Sequence, residues 1–180
     1  MTAHNSSDKL SLKAYLVFIF FAVIILLIEG SFFSFLFSRG TIPDLLLIFV
    51  VCLAFLWGEK KGIVLGLIGG FLQDLFFGPA IGFFTLAKMA AACFSGFSSR
   101  EIYKDQVIGP MLTVFLSTFV HEFVVFSLVG IFWGNRFSFF FALDQIFLPK
   151  ALYHLVLTIL IYPLLYQAEQ RRFFSPVSYK

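Results

Sequence analysis

Residues 14–28 read AYLVFIFFAVIILLI, an uninterrupted apolar run that begins after Lys13 and ends before Glu29. With the residues that follow, the segment extends to about residue 34, which is long enough to cross the roughly 30 Å hydrocarbon core of a bilayer as a helix. A lysine before an apolar run is also typical of a signal peptide. Because no small-residue cleavage site follows the run, we predict an uncleaved first membrane helix.

The whole chain has the same apolar character. Of its 180 residues, 60% are hydrophobic, 13% are charged and 28 are Phe, whereas soluble domains average about 45–50% apolar and about 25% charged residues. The chain has room for about six membrane passes and no soluble domain. We therefore predict an all-α fold, a polytopic helical bundle in which residues 1–180 form a single transmembrane domain. Its helices are predicted at residues 14–34, 42–57, 62–77, 80–97, 107–133 and 146–166.

Lysine and arginine are distributed unequally between the predicted loops. One set of loops and tails contains Lys9, Lys13, Lys60, Lys61, Arg100, Lys104, Arg171, Arg172 and Lys180. The opposite set contains only Arg39 and Arg136. Because basic loops stay in the cytoplasm, both termini are predicted to be cytoplasmic, and the net charge of +3 indicates orientation rather than nucleic-acid binding. A re-entrant pair of helices over residues 42–77 is the alternative, but it would place Lys60 and Lys61 at mid-membrane depth.

The third predicted helix carries a strip of small residues at intervals of four: Gly62, Gly66, Gly70 and Gly78, with Asp74 before the last. This spacing places them near one helical face, where glycine lets another helix backbone approach closely. The fourth predicted helix has Lys88, Ala92 and Gly96 at the same spacing. We predict a packing seam between these two helices, and a substrate groove is the alternative use of the strip.

Polar side chains interrupt the apolar segments and form a predicted intramembrane polar cluster of Asp74, Lys88, His121, Glu122, Lys150 and His154. Charges in a membrane usually pair with one another. We predict a contact between Asp74 and Lys88, with Glu122 as the competing partner of Lys88. A structural ion pair is favoured over a transport site.

His121-Glu122 matches the start of a zincin motif, but position 125 is Val125, so a metalloprotease is disfavoured and no metal site is predicted. Polar contacts between helices and a proton-coupled or ligand-contacting site remain open for this pair. Cys52 and Cys93 lie in apolar runs and are predicted to be buried thiols. No nucleophile elbow or phosphate-binding loop is found, so a non-enzyme without a cofactor is predicted.

One ordered set of residues carries a family resemblance. Pro43 and Asp44 open the second predicted helix, as a rigid N-terminus or cap would. From about residue 39 to residue 96 the sequence resembles the MreD family of bacterial rod-shape-determining membrane proteins. The predicted partner or packing motif comprises Pro43, Asp44, Gly66, Gly70, Asp74 and Gly82.

The resemblance implies a non-catalytic scaffold of the cell-elongation machinery in the bacterial inner membrane. The implied partners are membrane lipid and an MreC-like bitopic protein, and through it an MreB-like actin and the RodA-like and penicillin-binding peptidoglycan synthases. The family also resembles the six-helix substrate-binding components of energy-coupling-factor transporters. The alternative function is therefore a substrate-binding membrane subunit for a vitamin-type molecule, whose outer-facing pocket would use Asp74, Lys88, Glu122 and His154.

Overall fold

The structure, a computed structural model, describes residues 12–33, 42–100, 102, 104–134 and 138–171. Within these ranges the chain is all-α, as predicted, and forms six helices without a strand. The helices are α1 at Leu12–Ile28, which ends in a π-helical turn at Glu29–Phe33, α2 at Leu45–Trp57, α3 at Glu59–Phe77, α4 at Phe83–Ser98, α5 at Ile108–Trp133 and α6 at Phe139–Gln170, which contains a π-helical turn at Leu143–Phe147.

Helix α2 lies at the centre of the bundle. Residues 46–57 are all buried, and α2 contacts each of the other five helices. A helix that is apolar on every side is stable in this position because its neighbours cover its whole surface. Asp44 caps its N-terminus, since one carboxylate oxygen accepts a hydrogen bond from the Leu47 amide at 2.6 Å.

The outward faces of the surrounding helices are apolar. They expose large side chains such as Leu16, Phe20, Leu67, Phe71, Leu116 and Val156. Among the described residues, three helices are long and apolar enough to cross a membrane: Leu12–Ser31, α5 and α6. Helices α2 and α4, with 13 and 16 residues, are about 20 and 24 Å long. They fall short of a roughly 30 Å hydrocarbon core, so six complete crossings stay a prediction.

The connection between α2 and α3 is shorter than predicted. Gly58 alone separates the two helices, with a φ of +87° that favours glycine. Residues 59–61, predicted as a loop, form the first turn of α3, because Glu and Lys are good helix formers and Glu59 is favourable at a helix N-terminus. Helix α6 is also longer than predicted and begins at Phe139, where Ser138 caps it.

One end of the bundle, the basic end, carries Lys60, Lys61, Arg100, Lys104 and Arg171. There a guanidinium nitrogen of Arg100 lies 2.6 Å from a carboxylate oxygen of Glu59. The Lys104 ammonium donates a hydrogen bond to the Leu56 carbonyl at 2.8 Å. Burial lowers the pKa of Lys104; nearby Glu169 opposes this shift, and Lys61 adds to it. These contacts place the predicted loop with Lys60 and Lys61 at the same end of the bundle as the predicted loop with Arg100 and Lys104, as the distribution of basic residues requires.

Five basic residues of the topology prediction fall outside the described residues: Lys9, Arg39, Arg136, Arg172 and Lys180. Lys88 and Lys150, which the prediction assigned to neither side, lie inside the bundle. The positions of the described basic residues agree with the predicted orientation, and the orientation itself stays a prediction.

Candidate functional site

Asp44 connects four helices. Beyond capping α2, its second carboxylate oxygen accepts hydrogen bonds from Lys88 of α4 at 2.5 Å and from the Gln73 amide of α3 at 3.3 Å. Its backbone N–H donates to Nε2 of His154 in α6 at 2.8 Å. A carboxylate can only accept hydrogen bonds, and the Lys88 ammonium and the Gln73 amide nitrogen are both donors.

Asp74 caps the N-terminus of α4. Its carboxylate accepts hydrogen bonds from the amides of Gly82 (2.8 Å), Phe84 (2.7 Å) and Thr85 (3.1 Å), and from the Thr85 hydroxyl (2.6 Å). The first amides of a helix lack partners within the helix and carry partial positive charge. Gly82, with a φ of +109°, turns the chain so that these amides converge on Asp74.

The predicted contact between Asp74 and Lys88 is wrong. Lys88 is completely buried and forms its ion pair with Asp44. The physical reason is competition, because four donors at the start of α4 already occupy the Asp74 carboxylate. The competing partner that we predicted for Lys88, Glu122, pairs with another lysine.

Glu122 is the centre of a second polar group. Its Oε1 lies 2.7 Å from the Lys150 ammonium and 3.0 Å from Nδ1 of His121. The His121 ring stacks on Phe84, with ring centres 6.3 Å apart. No group of three metal-ligating side chains occurs among the residues that the structure describes. The geometry is that of an ion pair between α5 and α6.

His154 is held in one tautomer. The Thr118 hydroxyl donates its proton to the Val114 carbonyl at 2.8 Å, so it can only accept from Nδ1 of His154, also at 2.8 Å. Nε2 of His154 accepts from the Asp44 amide and therefore carries no proton. Both nitrogens of the neutral ring are satisfied, and His154 links α2, α5 and α6 as a structural group.

The polar residues predicted from the sequence thus fall into three places. Lys88 and His154 join Asp44, while His121, Glu122 and Lys150 form the second group, and Asp74 belongs to neither. The predicted site residues did not include Glu29 and Gln73. Glu29 accepts a hydrogen bond from the Leu46 amide at 3.0 Å. An acidic residue that ends an apolar run is the signal that identifies it.

The glycine strip of α3 lies against the backbone of α4. A Cβ atom at Gly66 would come within 2.7 Å of the Lys88 carbonyl oxygen, and one at Gly70 would overlap Thr85. A Cβ atom at Gly96 of α4 would likewise overlap the backbone of Glu59. This close approach agrees with the predicted packing seam and leaves no room for a substrate groove at these positions.

An all-helical bundle with apolar outer faces and three candidate membrane spans belongs to the helical membrane proteins. A family model, described as rod shape-determining protein MreD, matches residues 9–171. The chain therefore belongs to the MreD family and is a rod-shape-determining membrane protein. This confirms the resemblance seen at residues 39–96 and extends it over most of the chain. Comparisons with curated proteins and with solved structures find no match.

Proposed function

We propose that this protein is a non-catalytic scaffold of the bacterial cell-elongation machinery, and that it crosses the inner membrane six times. The observation that carries the proposal, beside family membership, is how its buried polar groups are used. Asp44 pairs with Lys88, Glu122 pairs with Lys150, and His154 is hydrogen-bonded on both sides. These contacts fix helices to one another and leave the outer faces to bind other membrane proteins.

The transporter-subunit alternative is weakened by the same contacts. It requires Asp74, Lys88, Glu122 and His154 to line a pocket that is open to the outside. Lys88 and His154 are completely buried, and Asp74 is saturated by four hydrogen bonds at the start of α4. Residues in such positions serve the packing of the bundle rather than a vitamin-sized ligand.

The contact surface in this proposal is a lateral groove between α5 and α6, with a volume of about 530 Å³. Its lining combines Val125, Val129, Ala142 and Ile146 with the aromatic rings of Phe126, Trp133 and Phe147, and Glu122 also borders it. In lipid, helices associate through close van der Waals packing. An MreC-like bitopic protein has a single membrane helix to offer, and the groove provides a surface for it. Through that protein the scaffold would reach MreB-like actin and the RodA-like and penicillin-binding synthases.

A groove-filling substitution tests this proposal. Val129→Trp places a large ring in the groove, and overpacking of this kind costs about 1–3 kcal/mol in protein cores. We expect at least tenfold less co-purified MreC-like protein, and rounded cells when this variant is the only copy in a rod-shaped host. Val156→Trp is the matched control, because Val156 is exposed on α6 outside the groove.

The measurements are quantitative mass spectrometry of the detergent pull-down and the length-to-width ratio of the cells. Equal recovery of the partner with both variants would remove the groove from the proposal. Rod-shaped cells with a normal length-to-width ratio in a strain that lacks the gene for this protein would contradict the proposed scaffold function.

A further inference from the structure

The lateral groove between α5 and α6 contains a carboxylate in an apolar lining. Among the described residues that line it, Glu122 is the one with an ionisable side chain. Glu122 lies near the middle of α5, and Trp133, at the end of the helix opposite the basic end, is eleven residues further on. The groove therefore follows α5 for about 17 Å, with the carboxylate at its inner end.

One oxygen of the Glu122 carboxylate is available in the groove. Its Oε1 accepts a hydrogen bond from the Lys150 ammonium at 2.7 Å and lies 3.0 Å from Nδ1 of His121. Its Oε2 makes no hydrogen bond to any residue that the structure describes. Enclosed polar atoms without a partner do occur nearby, at Ser117 Oγ and His121 Nε2, but Oε2 is not among them. Because Glu122 is 5% exposed and borders the groove, Oε2 is accessible there.

This oxygen calls for a hydrogen-bond donor without a charge. An ionised carboxylate can only accept, so a group that lies against Oε2 has to donate. The Lys150 ammonium already balances the charge of Glu122, and a second cation would leave a net positive charge in a membrane, which is costly. A lipid acyl chain has no donor at all. The hydroxyls of Ser and Thr and the amides of Asn and Gln fit, and such groups form hydrogen bonds between membrane helices.

We infer that the partner helix that docks in this groove carries a Ser, Thr, Asn or Gln whose side chain donates a hydrogen bond to Oε2 of Glu122. The inference rests on the proposed function, since it specifies the membrane helix that the groove takes. Trp133 is exposed at the end of α5, where tryptophan marks the membrane interface. The donor therefore lies about eleven residues, or about 17 Å, from the end of the partner helix that is opposite the basic end. The apolar lining supplies the packing, and Glu122 fixes the depth at which the helix docks.

Two matched variants of this chain isolate the acceptor. Glu122→Gln with Lys150→Met keeps a side-chain oxygen at the groove, whereas Glu122→Leu with Lys150→Met removes it. Both variants lack the ion pair and both are neutral. The probe is the MreC-like bitopic protein of the same organism, and its recovery with the full-length chain in detergent is measured by quantitative mass spectrometry. We expect about three- to tenfold less of it with the Leu variant than with the Gln variant.

A control variant and a partner-side measurement complete the experiment. Asp105→Asn changes an exposed carboxylate at the basic end and should recover the native amount. Each Ser, Thr, Asn and Gln in the membrane helix of the MreC-like protein is also replaced by Ala. One replacement, at the expected depth, should lower recovery with the native chain and have no further effect with the Leu variant, because the two changes remove the same bond. The replacements tested against the native chain remain informative if a Glu122 variant fails to fold.

Equal recovery with the Gln and Leu variants would overturn the inference and show that water satisfies Oε2. A partner helix with none of the four residues at the expected depth would overturn it as well. If Val129→Trp still reduces recovery in either case, the groove remains the docking surface and the hydrogen bond alone is excluded. Failure of the native chain to retain the MreC-like protein would instead overturn the proposed function, and the inference with it.

Discussion

At the scale of single residues, Asp44 brings together functions that are usually separate. It caps α2, neutralises Lys88 and provides the amide that holds His154. A buried ion pair contributes little net stability compared with an apolar pair, but removing one partner leaves a charge in a low-dielectric interior. We therefore expect the pair to make the packing of α2 and α4 specific.

A double-mutant cycle tests this arrangement. Lys88→Met leaves the Asp44 charge unpaired, and it should lower the free energy of unfolding by about 3–5 kcal/mol. Adding Asp44→Asn removes the stranded charge and keeps an acceptor for the helix cap, so the double variant should be more stable than Lys88→Met alone. Asp44→Asn alone completes the cycle, and thermal unfolding in detergent measures all three variants. As a control, Arg100→Ala removes an exposed ion pair and should cost less than about 1 kcal/mol. Additive losses in the cycle would contradict the pairing.

The sequence identifies which residues must find partners but not which partners they find. Lys88 and Asp74 are charged residues in apolar helices, and that alone predicts buried contacts. The choice between Asp44 and Asp74 depends on the turn at Gly82, which directs three amides toward Asp74. The positive φ of that glycine has no signature beyond glycine itself, which sequence reasoning reads equally well as a packing residue.

At the scale of helices, the contact between α3 and α4 is set by residues without side chains. Gly66 and Gly70 allow the α4 backbone to lie where a Cβ atom would otherwise be. The four-residue spacing makes this contact predictable, because it depends on helical geometry and not on a distant partner. By contrast, the central position of α2 is not predictable, since a helix apolar all round looks alike in a protein core and in lipid.

We expect Gly66→Leu combined with Gly70→Leu to destabilise the protein strongly, because each side chain would displace the backbone of α4. Overpacking costs about 1–3 kcal/mol per site where neighbouring side chains can move, and a backbone yields less readily. The melting temperature in detergent is the readout. As a control, Leu67→Phe enlarges an exposed side chain on α3 and should leave the melting temperature unchanged. A melting profile identical to that of the parent protein would show that the strip does not form the seam.

At the scale of the whole molecule, the six-helix count was predictable and the six-pass topology still needs a test. Reporter fusions after Lys180 and at Gly58 should both report the cytoplasm, and a fusion near Asn135 should report the outside. The reason is the concentration of Lys and Arg at the basic end. Helices α3 to α6 follow Gly58, so the prediction requires four passes between the two fusion points. Opposite locations for the Gly58 and Lys180 fusions would exclude this even number of passes.

The enclosure of α2 has a consequence for biogenesis. When α2 leaves the ribosome, α1 is the only one of its five neighbours already made. Lipid must cover its apolar sides until the later helices replace it. The contacts of Asp44 form later still, because Lys88 is synthesised 44 residues after it and His154 110 residues after it. A nascent chain that stops before α6 therefore lacks His154, and the Asp44 amide has no partner. Membrane quality-control proteases should remove such a chain in preference to the finished protein.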